Sequence, residues 1–137
     1  MPKRLKYVKP QTGDRIKSHE SDEISPEQQP PIFSFYKISR THCVSNCTTD
    51  EKGALIDKIH RLSQLTWAEI RSTHNKYGLG YGHIDAKTIY AEIPGDIKGE
   101  VTFLAFRFYK TAPMVGYRER RIFHIIWLDR DFTLYKH

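Results

Sequence analysis

Two periodicities divide this chain. From residue 88 to the end, apolar and polar positions alternate every second residue, and between 48 and 73 they recur at helical spacing. VTFLAFRFY (101–109) is dominated by β-branched and aromatic residues, the composition that suits a pleated, half-buried ladder. MVGYRER (114–120), RIFHIIWL (121–128) and FTLYKH (132–137) repeat the pattern, with Asp129-Arg130-Asp131 read as a turn before the last. Upstream, IFSFYKI (32–38) and TIYAEI (88–93) add two further strands, the second closed by the turn residues Pro94-Gly95-Asp96. Strands joined by tight links predict an antiparallel meander, because parallel neighbours need long crossovers. Alternation puts Leu104, Phe106 and Phe108 on one face of their strand, with Phe103, Ala105 and Arg107 on the other. In RIFHIIWL it groups Phe123, Ile125 and Trp127 against Ile122, His124, Ile126 and Leu128. Both strands are apolar on both sides, so both belong in the middle of the sheet.

The helical stretch carries its own start signals. Thr48 with Glu51 and Thr66 with Glu69 each fit a capping box, in which a hydroxyl and a carboxylate satisfy free amides at a helix start. KGALIDKIHRLSQ (52–64) then presents Leu55, Ile56, Ile59 and Leu62 as an apolar stripe, and a second short helix runs to about Thr73. Three glycines make KYGLGYGHI (76–84) a loop. The predicted fold class is α+β, with two helices packed on one face of a twisted antiparallel β-sheet.

Composition adds a boundary. Residues 1–31 hold five of the seven prolines and few apolar residues, which predicts a disordered Pro-rich arm followed by a single α+β domain over 32–137. Six basic and five acidic residues leave the arm at +1, so the remainder carries +5 of the net charge of +6. A basic domain attracts nucleic acid, anionic lipid or an acidic protein. No apolar run reaches the ~18 residues needed to cross a bilayer, and the basic first residues lack the apolar stretch of a secretory signal. No membrane partner is expected. Two cysteines are too few for a disulfide framework and read as reduced thiols, so the expected location is cytoplasmic.

Several chemistries lack their signatures: there is no P-loop, no GxGxxG after a strand, no HExxH and no GxSxG. GLGYG (78–82) lacks the lysine and helix that would follow in a phosphate loop. His42, Cys43 and Cys47 form a weak metal pattern for which a packed thiol pair is the better reading, and no metal or cofactor is expected. His60 reads as a helix-surface residue. Arginines 107, 118, 120 and 121, together with His124, stand at strand ends or among apolar neighbours. Singly, such arginines shield a sheet edge and cover apolar surface with their stems. As a group they can hold RNA phosphate, since the planar guanidinium bonds two oxygens at once. A metal-free ribonuclease needs only cations, a base near the 2′-hydroxyl and an acid for the leaving 5′-oxygen.

RRIFHIIWLDRDFTLYKH resembles the closing segment of the RelE/YoeB/HigB group of bacterial toxins: an arginine where a strand begins, a bulky apolar strand, an Asp-containing turn and a terminal Tyr/His pair. The resemblance covers residues 88–137 and, in outline, the two helices. It implies an endoribonuclease that cleaves ribosome-bound mRNA to a 2′,3′-cyclic phosphate and is neutralised by an antitoxin protein. By the same resemblance Arg118 or Arg121 would hold the scissile phosphate, Tyr135 would act on the base or 2′-hydroxyl, and His137 would be the general acid. Arg107, Lys110, Arg120, His124 and Lys136 are the expected RNA-binding groups around them. The alternative is a non-catalytic basic module that docks nucleic acid or an acidic protein, with Tyr117, Trp127 and Tyr135 as contacts. Trp67 and Trp127 also read simply as core residues.

Overall fold

The computed structural model describes residues 24–73, 78–97 and 101–137. Both capping boxes form as expected, and they start helices α1 (Thr49–Leu62) and α2 (Trp67–Ser72). Five strands follow the order β1-β5-β4-β3-β2: β1 (Ile32–Ser34), β2 (Gly82–Ile84), β3 (Phe103–Tyr109), β4 (Ala112–Glu119) and β5 (Ile122–Leu128). The class is α+β. No helix among the described residues is long and apolar enough to cross a membrane.

Three departures from the sequence reading shape the molecule. First, the sheet is mixed, because β1 pairs with β5 in parallel, Ile32 opposite Ile122. Nearly the whole domain separates these strands in sequence, which supplies the long crossover that parallel pairing requires. β1 is also shorter than expected: Ser34 Oγ accepts from Tyr36 N, the chain turns, and Tyr36 stands 91% exposed. Second, TIYAEI is not a strand. Its alternation is real, with Ile89, Ala91 and Ile93 inward and Tyr90 outward, but it packs flat against the sheet and not into its ladder. Third, FTLYKH forms no final strand either. Instead β2, within the stretch read as a glycine loop, provides the fifth strand beside β3.

The sheet is therefore covered on both faces. Leu55, Leu62, Trp67 and Ile70 from the helices pack on Phe106, Met114, Phe123 and Ile125. On the opposite face Phe103, Val115, Ile126, Trp127 and Leu134 form a second core beneath residues 84–97 and the chain end. Both tryptophans are fully buried, as the core reading required. Part of the Pro-rich arm is seen as well. Residues 26–28 form a 3-10 turn, Pro30 O accepts from Arg121 Nε at 3.0 Å, and Glu27 bridges Arg71 and Arg118. The expectation for residues 1–23 lies outside the described residues.

One helix cap doubles as a tertiary contact. Glu51 Oε1 accepts from Thr48 N and from Arg130 Nε, both at 2.7 Å, which ties α1 to the segment after β5. The Arg130 bond, above all, holds this nearly buried carboxyl below its ordinary range, against the opposing effect of burial. A carboxyl depressed in the folded state stabilises the fold above its unfolded value, and that contribution disappears as pH falls through the folded value. Thermal midpoints should therefore drop on acidification below about pH 5, and Arg130→Gln should flatten that acid limb. An unchanged limb in the variant would mean that the pair does not contribute.

Candidate active site

Two irregularities in the ladder build the site. Between β3 and β4 the register shifts, with Arg107 opposite Pro113 and Tyr109 opposite Ala112, so Phe108 is an extra residue. Proline lacks the N–H that a central strand would use, and an irregular position of this kind accommodates it. Between β4 and β5, Val115 faces Trp127 while Gly116 faces Ile125, leaving Ile126 extra. That bulge reverses the alternation for everything after it. Trp127 turns to the second core, away from Phe123 and Ile125 and contrary to the simple alternation. Two residues further on, Asp129 points the same way, while Arg130 reaches back to Glu51 on the helix side.

Asp129 is fully buried and organises the chain end. Its backbone N–H continues the ladder to Pro113 O at 2.9 Å. Its carboxylate accepts from Thr133 N at 2.8 Å, from Leu134 N at 3.1 Å and from His137 Nε2 at 3.0 Å. Because the side chain takes these amides, FTLYKH curls round it and cannot pair as a strand. The curl forces Phe132 into the left-handed region at φ 57°, an unusual conformation for a bulky residue. His137 is thereby fixed between Asp129 and two rings, stacked on Tyr135 at 4.1 Å and edge-on to Phe132 at 5.0 Å.

These groups line one concavity of about 340 Å³, bounded by Gly82 and Ile84 of β2, Ala105 and Arg107 of β3, Thr111, Pro113, Phe132, Tyr135 and His137. Burial, reinforced by the neighbouring Asp129 charge, pushes the Tyr135 phenol above its usual range, and the Arg107 charge opposes this. Tyr135 therefore keeps its proton at neutral pH and can donate a hydrogen bond. His137 is the imidazole in the cavity, with its side chain 27% exposed.

Of the residues expected from sequence, the cavity brings together Arg107, Tyr135 and His137. Lys110 occupies the β3–β4 turn beside Thr111, its ammonium over the Tyr109 ring, and Lys136 is exposed between Tyr135 and His137. The other four lie toward the β4–β5 hairpin, away from the cavity: Arg118 alone is five residues along β4 from Pro113, roughly 16 Å. There Arg118 lies over the Trp67 ring at 4.3 Å and pairs with Glu27, and Arg121 holds Pro30. Arg120 is the exposed turn residue at φ 57°. His124 stacks on Tyr117 at 4.9 Å and bonds Glu119 at 3.0 Å. Arg118 and Arg121 thus do not reach the Tyr135–His137 cavity; they pack the arm and α2 onto the sheet.

Sequence reasoning missed Asp129, Thr133 and His42. Asp129 looked like a turn residue, and His42 belonged to a weak metal pattern some ninety residues upstream. His42 Nε2 lies 3.1 Å from Thr133 Oγ1 and 3.9 Å from Asp129 Oδ1. Its neighbours Cys43 and Cys47 remain free thiols, Cys47 within the helix-side core. Among the described residues no group of three His, Cys, Asp or Glu side chains is arranged to hold a metal ion. No protein-family model, curated protein or solved structure matches this chain.

Proposed function

We propose that this protein is a RelE-like endoribonuclease, an mRNA-cleaving toxin held in check by an antitoxin protein, and that its reaction runs in the Arg107–Tyr135–His137 cavity. The observation that carries the reading is the meeting of a cation, a protonated phenol and an imidazole backed by a buried carboxylate in one concavity. His137 takes the 2′-hydroxyl proton as that oxygen bonds phosphorus. It then delivers a proton to the 5′-oxygen as the P–O bond breaks, leaving a 2′,3′-cyclic phosphate and a 5′-hydroxyl. Arg107 takes the phosphate role that the resemblance gave to Arg118 or Arg121, since a guanidinium beside the phosphoryl oxygens offsets the charge that grows there. Tyr135 donates to a non-bridging oxygen, and Phe132 offers a ring at the rim. Lys110 and Lys136 extend the positive surface toward neighbouring phosphates.

Expression of the full chain in a bacterial host should arrest growth and cut mRNA, and Tyr135→Ala with His137→Ala should abolish both effects. A folded protein that leaves message intact would sink the proposal and leave a non-catalytic binding module as the better account.

A further inference from the structure

We propose that His42 and Thr133 are positioning residues of this site: they complete a hydrogen-bond chain of one polarity, Thr41–His42–Thr133–Asp129–His137, which presents Nδ1 of His137 to the cavity as its proton-transferring atom. The mechanistic half of this statement rests on the cleavage reading above; the chain itself rests on donors and acceptors alone.

The polarity is set at Asp129, because an ionised carboxylate only accepts. His137 Nε2, 3.0 Å from Oδ2, must therefore carry a hydrogen. Thr133 Oγ1, 3.4 Å from Oδ1, must likewise donate its single hydrogen there. That leaves the Thr133 oxygen as an acceptor toward His42, so His42 Nε2, at 3.1 Å, carries its hydrogen too. A neutral His42 then has a lone pair on Nδ1, and Thr41 Oγ1 lies 2.8 Å away to donate to it. The Thr41 oxygen is filled in turn by Ser39 Oγ at 2.9 Å. Every link agrees with one direction, and reversing any of them leaves two hydrogens or two lone pairs facing each other. His137 Nδ1 has no partner among the described residues, and it is the only ring nitrogen of that residue free to meet a substrate.

The chain is also anchored. Ser39 N donates to Ile126 O at 2.7 Å and Leu128 N to His42 O at 2.8 Å, so the 39–42 segment is fastened to β5 at the bulge residue itself and again just beyond it. The His42 side chain is 15% exposed and lies behind Asp129, outside the residues that line the cavity. It acts through Asp129 and not on substrate.

Nitrogen-15 NMR of histidine-labelled full chain at about pH 8.5, where ordinary histidines are neutral, reads the tautomers directly. Both His42 and His137 should appear as the Nε2–H form. His42→Phe, which keeps a ring and removes the donor, should give His137 a mixture of tautomers and slow RNA cleavage about tenfold. His42→Gln, whose amide can donate to Thr133, should restore most of both. Thr133→Val, at an exposed position, provides a second break in the chain with little risk to folding. A wild-type His137 protonated on Nδ1, or variants that change neither tautomer nor rate, would overturn the inference. A wild type inert toward RNA but with both Nε2–H tautomers would overturn the cleavage reading and leave the chain standing.

Discussion

Asp129→Ala should destabilise the protein by about 3–5 kcal/mol, while Asp129→Asn should keep most of that stability and, on the cleavage reading proposed above, still cost on the order of 10³–10⁴-fold in rate. The two variants separate two jobs of one carboxylate. Alanine takes the fully buried acceptor away from the amides of Thr133 and Leu134 and from the ring of His137, so the curled chain end loses the group it is wound round. Asparagine has the same shape, and its carbonyl can still accept from Thr133 and Leu134. Its amide, however, would donate toward His137 Nε2, so the imidazole must place its hydrogen on Nδ1. The nitrogen facing the cavity is then a donor when a base is needed. Thermal unfolding together with single-turnover cleavage of a short oligoribonucleotide measures both. An Asp129→Asn protein that cleaves at the wild-type rate would show that His137 does not work through this pair.

The same residue explains why the site was only half legible in the sequence. Arg107, Tyr135 and His137 could be singled out because arginine, tyrosine and histidine among apolar strand residues are conspicuous. What could not be read was which of them meet. Strand alternation treats β4 and β5 as regular, and on that basis the arginines of the hairpin seem to share a surface with the chain end. In the folded protein Asp129 withdraws residues 132–137 from the ladder and folds them over the opposite end of the sheet, beside β3. Side-chain capture of backbone amides has no periodic signature. His42 was harder still, since it reaches Thr133 only through β1 and the loop that follows it. The helices posed no such difficulty, because a capping box and an apolar stripe are local and the tertiary packing agrees with both.

Gly116→Ala should be the most damaging single-methyl change outside the site, costing about 3 kcal/mol or more and lowering the melting temperature by roughly 10 °C. A β-carbon built at Gly116 would lie 1.8 Å from His124 O and 2.8 Å from His124 C. Those are backbone atoms of β5, which is held by β4 on one side and β1 on the other, so they cannot retreat without breaking a ladder. Gly53→Ala is the matched control. It lies on the exposed surface of α1 with nothing within 4 Å of the added carbon, and there the reduced freedom of the unfolded chain should raise stability by about 0.5–1 kcal/mol. A Gly116→Ala protein that melted with the wild type would mean that the bulge is absent in solution. The consequence would reach the cavity, because Gly116 is where β4 comes close enough for Ile126 to be squeezed out of register. Without that extra residue Trp127 would turn to the helices, and Asp129 would face away from His137.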